Sequence, residues 1–151
     1  MTQVLLALDS SDFSTKAIAA VRRQFRPDQA RIHLLHVIDP MTYLPLYQTP
    51  VRDIERIDAL RAENRKQAEE FVGQAATELR KAGFEVTLSI EEGEPRTTII
   101  DAAANLHADL IVLGSRGRRG LSRLLLGSVS EFVARHASCS VEIVRPVPRA
   151  A

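Results

Sequence analysis

The chain has 151 residues, enough for one domain whose core needs no disulfide or structural metal. Twenty Lys and Arg residues against nineteen Asp and Glu residues leave a formal charge of +1, which argues against a polybasic protein of nucleic acids or membrane surfaces. One cysteine excludes an internal disulfide, and one thiol with four histidines gives no zinc-binding spacing. The first apolar run is too short to cross a bilayer, so we expect a cytoplasmic domain without membrane insertion.

Five short runs predict the strands of one sheet. Three of them, 4–8, 32–38 and 110–113, are continuously apolar, which is typical of strands covered on both faces. In the run 84–90 apolar residues alternate with polar ones, so one face of that strand is expected to be buried. The run 141–144 predicts a short last strand.

Between the strands the apolar period changes to that of helices. The second predicted helix is the longest, and we expect its apolar positions, Ile54 and Leu60 among them, to lie on the face that packs against the sheet. Four helices are predicted, each marked by a residue suited to one of its ends: Ser11 or Asp12 before the first, Gly83 after the second, Pro95 in the third and Ser128 in the fourth.

The alternation of strands and helices predicts parallel strands joined by right-handed helical crossovers. No repeat or linker interrupts it, so we expect one α/β domain over residues 1–146, followed by a frayed tail at 147–151. Only the stretch 40–50 is irregular, and its three prolines and apolar residues predict a loop that packs on a ligand, a partner or its own domain. Open parallel sheets bind ligands beyond the carboxyl ends of their strands, which is where we look for a site.

The segment 114–130 is the most informative candidate site. Gly114, Gly117 and Gly120 follow a buried strand, and a helix is expected to begin at Gly127 and Ser128. Glycines permit positive φ and a close approach of the backbone to a ligand, and a helix start supplies N–H groups and the positive end of its dipole. With the nearby arginines, this arrangement suits a phosphate chain. The alternative is a tight turn followed by a helix cap.

Asp9, at the mouth of the first strand, is a second candidate. Its carboxylate suits the two hydroxyl groups of a ribose; the alternative is that it caps the following helix, which Ser10, Ser11 or Asp12 could do equally well. We interpret His36 as a core histidine, because it lies within a buried strand pattern. The sequence contains no P-loop, no dinucleotide-binding glycine motif after the first strand, no Gly-x-Ser-x-Gly elbow and no evident general base beside a nucleophile, so it favours binding over catalysis.

The pattern Gly114-x2-Gly117-x9-Gly127-Ser128 resembles the Gly-x2-Gly-x9-Gly-[Ser/Thr] motif of the nucleotide-binding branch of the universal stress protein family. Asp9 after the first strand and the strand 34–39 are also similar to the family. So are the sequences that flank the motif, 111–115 and 124–129, and the C-terminal segment 141–145. The resemblance covers essentially the whole chain.

The resemblance implies an adenine nucleotide alpha hydrolase-like fold, an open five-stranded parallel sheet in the order 3-2-1-4-5 with helices on both faces. It also implies ATP, with the adenine near Ala7 and Val37, the ribose near Asp9 and Gly114, and the phosphates on the glycine motif. The implied nucleotide-binding residues are Ala7, Asp9, Val37, Leu113, Gly114, Ser115, Arg116, Gly117, Gly127, Ser128, Val129 and Ser130. Mg²⁺ or Mn²⁺ would be carried with the phosphates. A homodimer through the last strand (Val141, Ile143 and Val144) is implied as well.

Two positions depart from the family pattern. Arg116 stands where many relatives have histidine, and Ser10 where many have glycine, but neither removes a phosphate donor. We expect Arg116 or Arg118 to lie near the phosphates. The expected function is an ATP-binding regulatory or stress-response protein with an unidentified protein partner and at most slow ATP hydrolysis. The alternatives are an ATP-using transferase or pyrophosphatase on a related fold, or a nucleotide-free dimeric interaction module; nucleic-acid binding is not expected.

Overall fold

The computed structural model describes residues 1–43, 54–116 and 125–145. Strands and helices alternate in it as the sequence predicts. The elements are β1 (Thr2–Leu8), α1 (Asp12–Gln24), β2 (Ala30–Ile38), a short 3₁₀ helix (Pro40–Tyr43), α2 (Ile54–Lys81), β3 (Glu85–Glu92), α3 (Pro95–Asn105), β4 (Leu110–Gly114), α4 (Ser128–His136) and β5 (Ser140–Val144).

All five strands belong to one parallel sheet in the order β3-β2-β1-β4-β5. Leu6 at the centre of β1 pairs with Leu34 of β2 on one side and with Val112 of β4 on the other. The expected order 3-2-1-4-5 is therefore confirmed. The strand order reverses between β1 and β4, which places a ligand crevice at the carboxyl ends of these two strands.

Helices cover both faces of the sheet, as expected. Side chains alternate along each strand, so Val4 and Leu6 of β1 face α1 and α2, while Leu5 faces α3 and α4. Each face has its own apolar core: Val72 of α2 belongs to the first and Val133 of α4 to the second. Burial on both sides explains why the central strands are continuously apolar.

The helix ends follow from local chemistry. Gly83 ends α2 with φ +94°, a left-handed conformation that favours glycine. Pro95 is the first residue of α3, and the Glu94 side chain caps that helix by accepting a hydrogen bond of 3.1 Å from the Thr97 amide. No helix of the described part of the chain combines the length and the apolar character that a membrane crossing needs.

The first turns of α2 differ from the expectation. Ile54 is 56% exposed and Leu60 is 37% exposed, so the prediction that both pack on the sheet is wrong. The 28 residues of α2 span about 42 Å, whereas the nine residues of β2 span only about 30 Å. The beginning of α2 therefore rises past the carboxyl edge of the sheet, where Ile57 and Ala68 are buried.

Candidate functional site

A cleft of about 580 Å³ opens at the carboxyl edge of the sheet, where the strand order reverses. Its floor is formed by the ends of β1, β2 and β4, including Ala7, Val37 and Leu113. One wall is α2, and the opposite side is formed by the beginnings of α3 and α4. The volume is within the range of small-molecule sites, and the position is the usual one for ligands of open α/β sheets.

The first turn of α4 presents a set of amide groups to this cleft. Gly127 precedes the helix with φ −65° and ψ 152°, and its amide donates a hydrogen bond of 2.8 Å to the Ser115 carbonyl. The first intrahelical bond runs from the Glu131 amide to the Gly127 carbonyl, at 3.0 Å. The preceding amides, of Ser128, Val129 and Ser130, therefore have no carbonyl of their own helix to bind. Together with the helix dipole they suit an anion.

Two serines in that turn have different environments. The Ser130 side chain is buried, and its hydroxyl donates a hydrogen bond of 2.8 Å to the Gly114 carbonyl, which ties α4 to the end of β4. Ser128 is exposed and lines the cleft. Of these two serines, Ser128 is the one whose hydroxyl is placed to meet a ligand directly, while Ser130 can offer its amide.

Gly114 is a glycine because α1 approaches it closely. A Cβ at this position would lie 3.3 Å from the Phe13 carbonyl carbon, a tight contact, and 2.5 Å from the Cβ of Phe13, a distance at which one of the two must move. Positive φ is not the reason: among the glycines of the described residues, only Gly83 has it. The expectation that the motif glycines serve for positive φ is thus wrong at Gly114 and at Gly127.

Asp9 is held by the loop that leads into α1. Its Oδ1 accepts hydrogen bonds from the Ser11 amide (3.0 Å), from the Ser14 hydroxyl (2.9 Å) and from the Ser11 hydroxyl. The Asp9 amide in turn donates to the Ser14 hydroxyl at 2.7 Å. Asp9 thus holds the loop before α1, but it is not the helix cap: the N-cap residue is Ser11, and no side chain caps that helix. The same residue also lines the cleft, with its carboxylate fixed in position.

Arg116 brings positive charge to the cleft. Its guanidinium carbon lies 5.2 Å from the centre of the Phe13 ring, and the Lys16 ammonium lies 5.7 Å from the same ring. Both distances fit cation–π contacts. The charge of Arg116 and the amides of α4 thus border the same cleft.

On the wall formed by α2, Asn64 and Phe71 line the cleft, and the sequence analysis selected neither of them. The Tyr43 side chain is buried, and its hydroxyl accepts a hydrogen bond of 2.8 Å from the Asn64 amide group. His36 is only partly buried: it lines the cleft, its Nδ1 donates to the Leu8 carbonyl at 2.9 Å, and its ring contacts Phe71 edge-on at 6.5 Å. The interpretation of His36 as a core residue is therefore incomplete. Tyr43 shows that the beginning of the stretch 40–50 packs on its own domain.

Most of the expected nucleotide-binding residues meet in the one cleft: Ala7, Asp9, Val37, Leu113, Gly114, Arg116, Gly127, Ser128, Val129 and Ser130 line it. Ser115 lies beneath the lining, buried, with a hydroxyl that has no hydrogen-bond partner among the described residues. Gly117 and Arg118 lie outside the described residues, as does the rest of the stretch 40–50 beyond Tyr43.

The described residues contain no cluster of side chains that could bind a metal ion by itself. Within 1–43, 54–116 and 125–145, no three His, Cys, Asp or Glu side chains are close enough together to hold an ion. The groups that border the cleft include the Asp9 and Asp39 carboxylates and the His36 ring besides hydroxyls, backbone amides and the Arg116 guanidinium. The amides, hydroxyls and guanidinium are groups that recognise anions.

A sequence model of the universal stress protein family matches residues 1–145. The chain belongs to this family. A universal stress protein of Thermus aquaticus is 34% identical over 146 residues, covering 94% of this chain and 97% of that protein. The Bacillus subtilis universal stress protein YxiE is 32% identical over 145 residues, covering 95% and 98% of the two chains.

Solved structures confirm the adenine nucleotide alpha hydrolase-like fold. The structure of the protein MJ0577 superposes with a TM-score of 0.83 at 27% identity, covering 97% of this chain and 96% of that one. Two more distant members of the family share the fold and were solved with nucleotides: one in complex with cAMP (TM-score 0.64, 23% identity) and one from Arabidopsis thaliana with AMP bound (TM-score 0.67, 20% identity).

Proposed function

We propose that this chain binds ATP in the cleft at the carboxyl edge of its sheet. The observation that carries the proposal is the meeting of the Asp9 carboxylate and the first amides of α4 on one cleft of about 580 Å³. A carboxylate that accepts from ribose hydroxyls and a helix start that donates to phosphates are the two polar requirements of a nucleotide. They stand here on opposite sides of the switch point between β1 and β4.

Successive parts of the cleft suit the adenine, the ribose and the phosphates of the nucleotide. Ala7, Val37 and Leu113 provide an apolar floor for the adenine, and the backbone of Val37 can read its edge. Asp9, fixed through Oδ1 by the α1 loop, stands where the ribose would follow. The amides of residues 128–130, the Ser128 hydroxyl and the Arg116 guanidinium would then hold the phosphates.

A divalent cation fits this proposal as a companion of the nucleotide. The described residues offer no group of three side chains that would hold an ion on its own. Mg²⁺ and Mn²⁺ bind readily to phosphate oxygens with water as the remaining ligands, so the nucleotide can bring the ion with it. When bound, the ion would neutralise part of the phosphate charge.

The solved members of the family support an adenine nucleotide as the ligand. Three of them were solved with cAMP, AMP or dAMP. These ligands share the adenine but differ in the sugar or in the phosphate, so the support is for the adenine part of the site. The proposal of a triphosphate is based on the amides of α4 and on Arg116 in this chain.

We infer a regulatory or stress-response role with at most slow ATP hydrolysis, rather than a transferase. The hydrogen-bond donors that border the cleft would stabilise the phosphates of bound ATP as strongly as those of the transition state for its hydrolysis. Equal stabilisation of the two states does not accelerate a reaction. A bound nucleotide would instead stabilise one arrangement of the β4–α4 region. That arrangement would govern the interaction with a protein partner.

A homodimer through β5 belongs to the same proposal. β5 is an edge strand, and its Val141, Ile143 and Val144 are only partly buried. An exposed edge of this kind is stabilised by pairing with another strand, and a second copy of β5 would provide one.

The proposal is tested by identifying what the purified protein carries. We expect freshly prepared protein, after denaturation, to release adenine nucleotide that chromatography and mass spectrometry identify. Nucleotide-free protein should bind ATP with magnesium in isothermal titration calorimetry. Asp9→Asn should weaken that binding about tenfold, whereas Asp28→Asn, an exposed carboxylate between α1 and β2, should not change it. Absence of released nucleotide together with no binding at millimolar ATP would contradict the proposal.

A further inference from the structure

Phe13 lies behind the phosphate end of the cleft. It is the second residue of α1, and it can approach the end of β4 because Gly114 has no side chain: a Cβ on Gly114 would lie 2.5 Å from the Phe13 Cβ. Phe13 is partly buried and is not among the residues that line the cleft. The close packing on Gly114 therefore fixes the position from which the Phe13 ring extends, but the ring does not contact a ligand in the cleft.

Arg116 lies two residues after Gly114, and its guanidinium group lies over the Phe13 ring. Its guanidinium carbon is 5.2 Å from the ring centre, and Arg116 itself lines the cleft. A long arginine side chain at a cleft mouth has many rotamers, and ordering it on binding costs conformational entropy. A contact with an aromatic ring restricts those rotamers before any ligand arrives.

We propose that Phe13 is a positioning residue for Arg116, and that it thereby makes the site favour adenine nucleotides with more phosphates. This inference rests on the proposed function. The amides at the start of α4 suit one phosphate group, whereas a held guanidinium adds a full positive charge beside them. Its contribution should therefore grow from adenosine through AMP to ATP.

The test compares the affinities for ATP, AMP and adenosine in the full chain by calorimetry. Phe13→Leu should lower the affinity for ATP about two- to fivefold and leave that for adenosine unchanged, since a cation–π contact at an exposed site has about this strength. Phe13→Tyr, which keeps the ring, should retain the affinity for ATP. Arg116→Gln should lower the affinity for ATP about tenfold, and adding Phe13→Leu to it should cause no further loss.

A matched control lies near the beginning of α3, on the opposite face of the sheet from Phe13. The Arg96 guanidinium lies 5.3 Å from the Phe132 ring, and Arg96 does not line the cleft. Arg96→Gln changes the net charge by the same amount as Arg116→Gln, and we expect it to leave all three affinities unchanged. Equal losses for ATP, AMP and adenosine in Phe13→Leu, or a further loss in the double variant, would overturn the positioning role alone. No binding of any nucleotide to the unchanged protein would instead contradict the proposed function.

Discussion

The hydroxyl of Ser130 donates a hydrogen bond to the carbonyl oxygen of Gly114 across 2.8 Å. This bond joins the first turn of α4 to the last residue of β4, the two elements that flank the region of the glycine motif. It fixes the direction in which the amides of that turn point. Two residues earlier, Ser128 is exposed and lines the cleft. One helical turn thus contains a serine that orients the site and a serine that faces it.

Replacing each of these serines by alanine should separate stability from binding. Ser130→Ala leaves the Gly114 carbonyl without its donor, and we expect the free energy of unfolding in urea to fall by about 1–3 kcal/mol. Ser128→Ala removes an exposed hydroxyl and should change stability by less than about 0.5 kcal/mol, while it weakens ATP binding measurably. Similar losses of stability in both variants would show that the Ser130 bond has no special importance.

Gly114→Ala tests the close approach of α1. The new methyl group would lie 2.5 Å from the Phe13 Cβ and would force α1 away from β4, so we expect a loss of about 1–3 kcal/mol in the free energy of unfolding. Gly73→Ala is the matched control, since nothing lies within 4 Å of its added Cβ inside α2. That variant should gain about 0.5–1 kcal/mol from the better helix former. A Gly114→Ala variant as stable as the unchanged protein would contradict the packing argument.

The sequence predicted those features that have a local cause. Gly83 and Pro95 mark helix boundaries because their own backbone preferences suit those places. Continuously apolar strands separated by helices determine a parallel sheet covered on both faces. Asp9 and Gly114 could be selected because Asp9 directly follows one strand and Gly114 ends another, at the edge where such sheets bind ligands.

The features that the sequence analysis missed depend on distant packing. The reason for Gly114 is Phe13, a residue far away in the sequence, and no local pattern contains that contact. The α2 wall of the cleft arises because this helix is longer than the strands it covers, which brings Asn64 and Phe71 to the site. Helical periodicity gives the apolar face of α2 but not the point at which the sheet beneath it ends.

Glu94 predicts a pH dependence of stability. Burial raises the pKa of its carboxyl, but hydrogen bonds from the Arg96 side chain and from the Thr97 and Arg96 amides outweigh this and hold the pKa below its ordinary value of 4.5. Because the folded-state pKa is the lower one, the stabilisation is full above the ordinary value and is lost as pH falls through the folded-state value.

Unfolding measured from about pH 6 down to about pH 3 should show this effect. In Glu94→Gln, which can still cap α3 through its amide oxygen, we expect the fall in stability over this range to be smaller by about 0.5 kcal/mol or less, since the group is exposed. Identical pH profiles for the variant and the unchanged protein would show that the Glu94 cap does not depend on its charge.

The backbone of β5 allows the proposed dimer to be tested without disturbing the sheet. The Val144 carbonyl accepts a hydrogen bond of 2.9 Å from the Ser115 amide, so Val144 directs its polar groups toward the β4 side. Because these directions alternate along a strand, Glu142 also faces β4, while Val141 and Ile143 direct theirs to the open edge. Val141→Pro removes an edge-facing N–H group, and proline is tolerated where that group faces outward.

We therefore expect Val141→Pro to raise the dimer dissociation constant at least about tenfold in analytical ultracentrifugation, with an unchanged far-ultraviolet circular dichroism spectrum. Glu142→Pro is the control for strand direction: it removes an N–H group that faces β4 and should lower the melting temperature instead. A Val141→Pro variant that remains as dimeric as the unchanged protein would exclude strand pairing through β5 as the means of association. The interface would then have to be formed by side chains on another face of the domain.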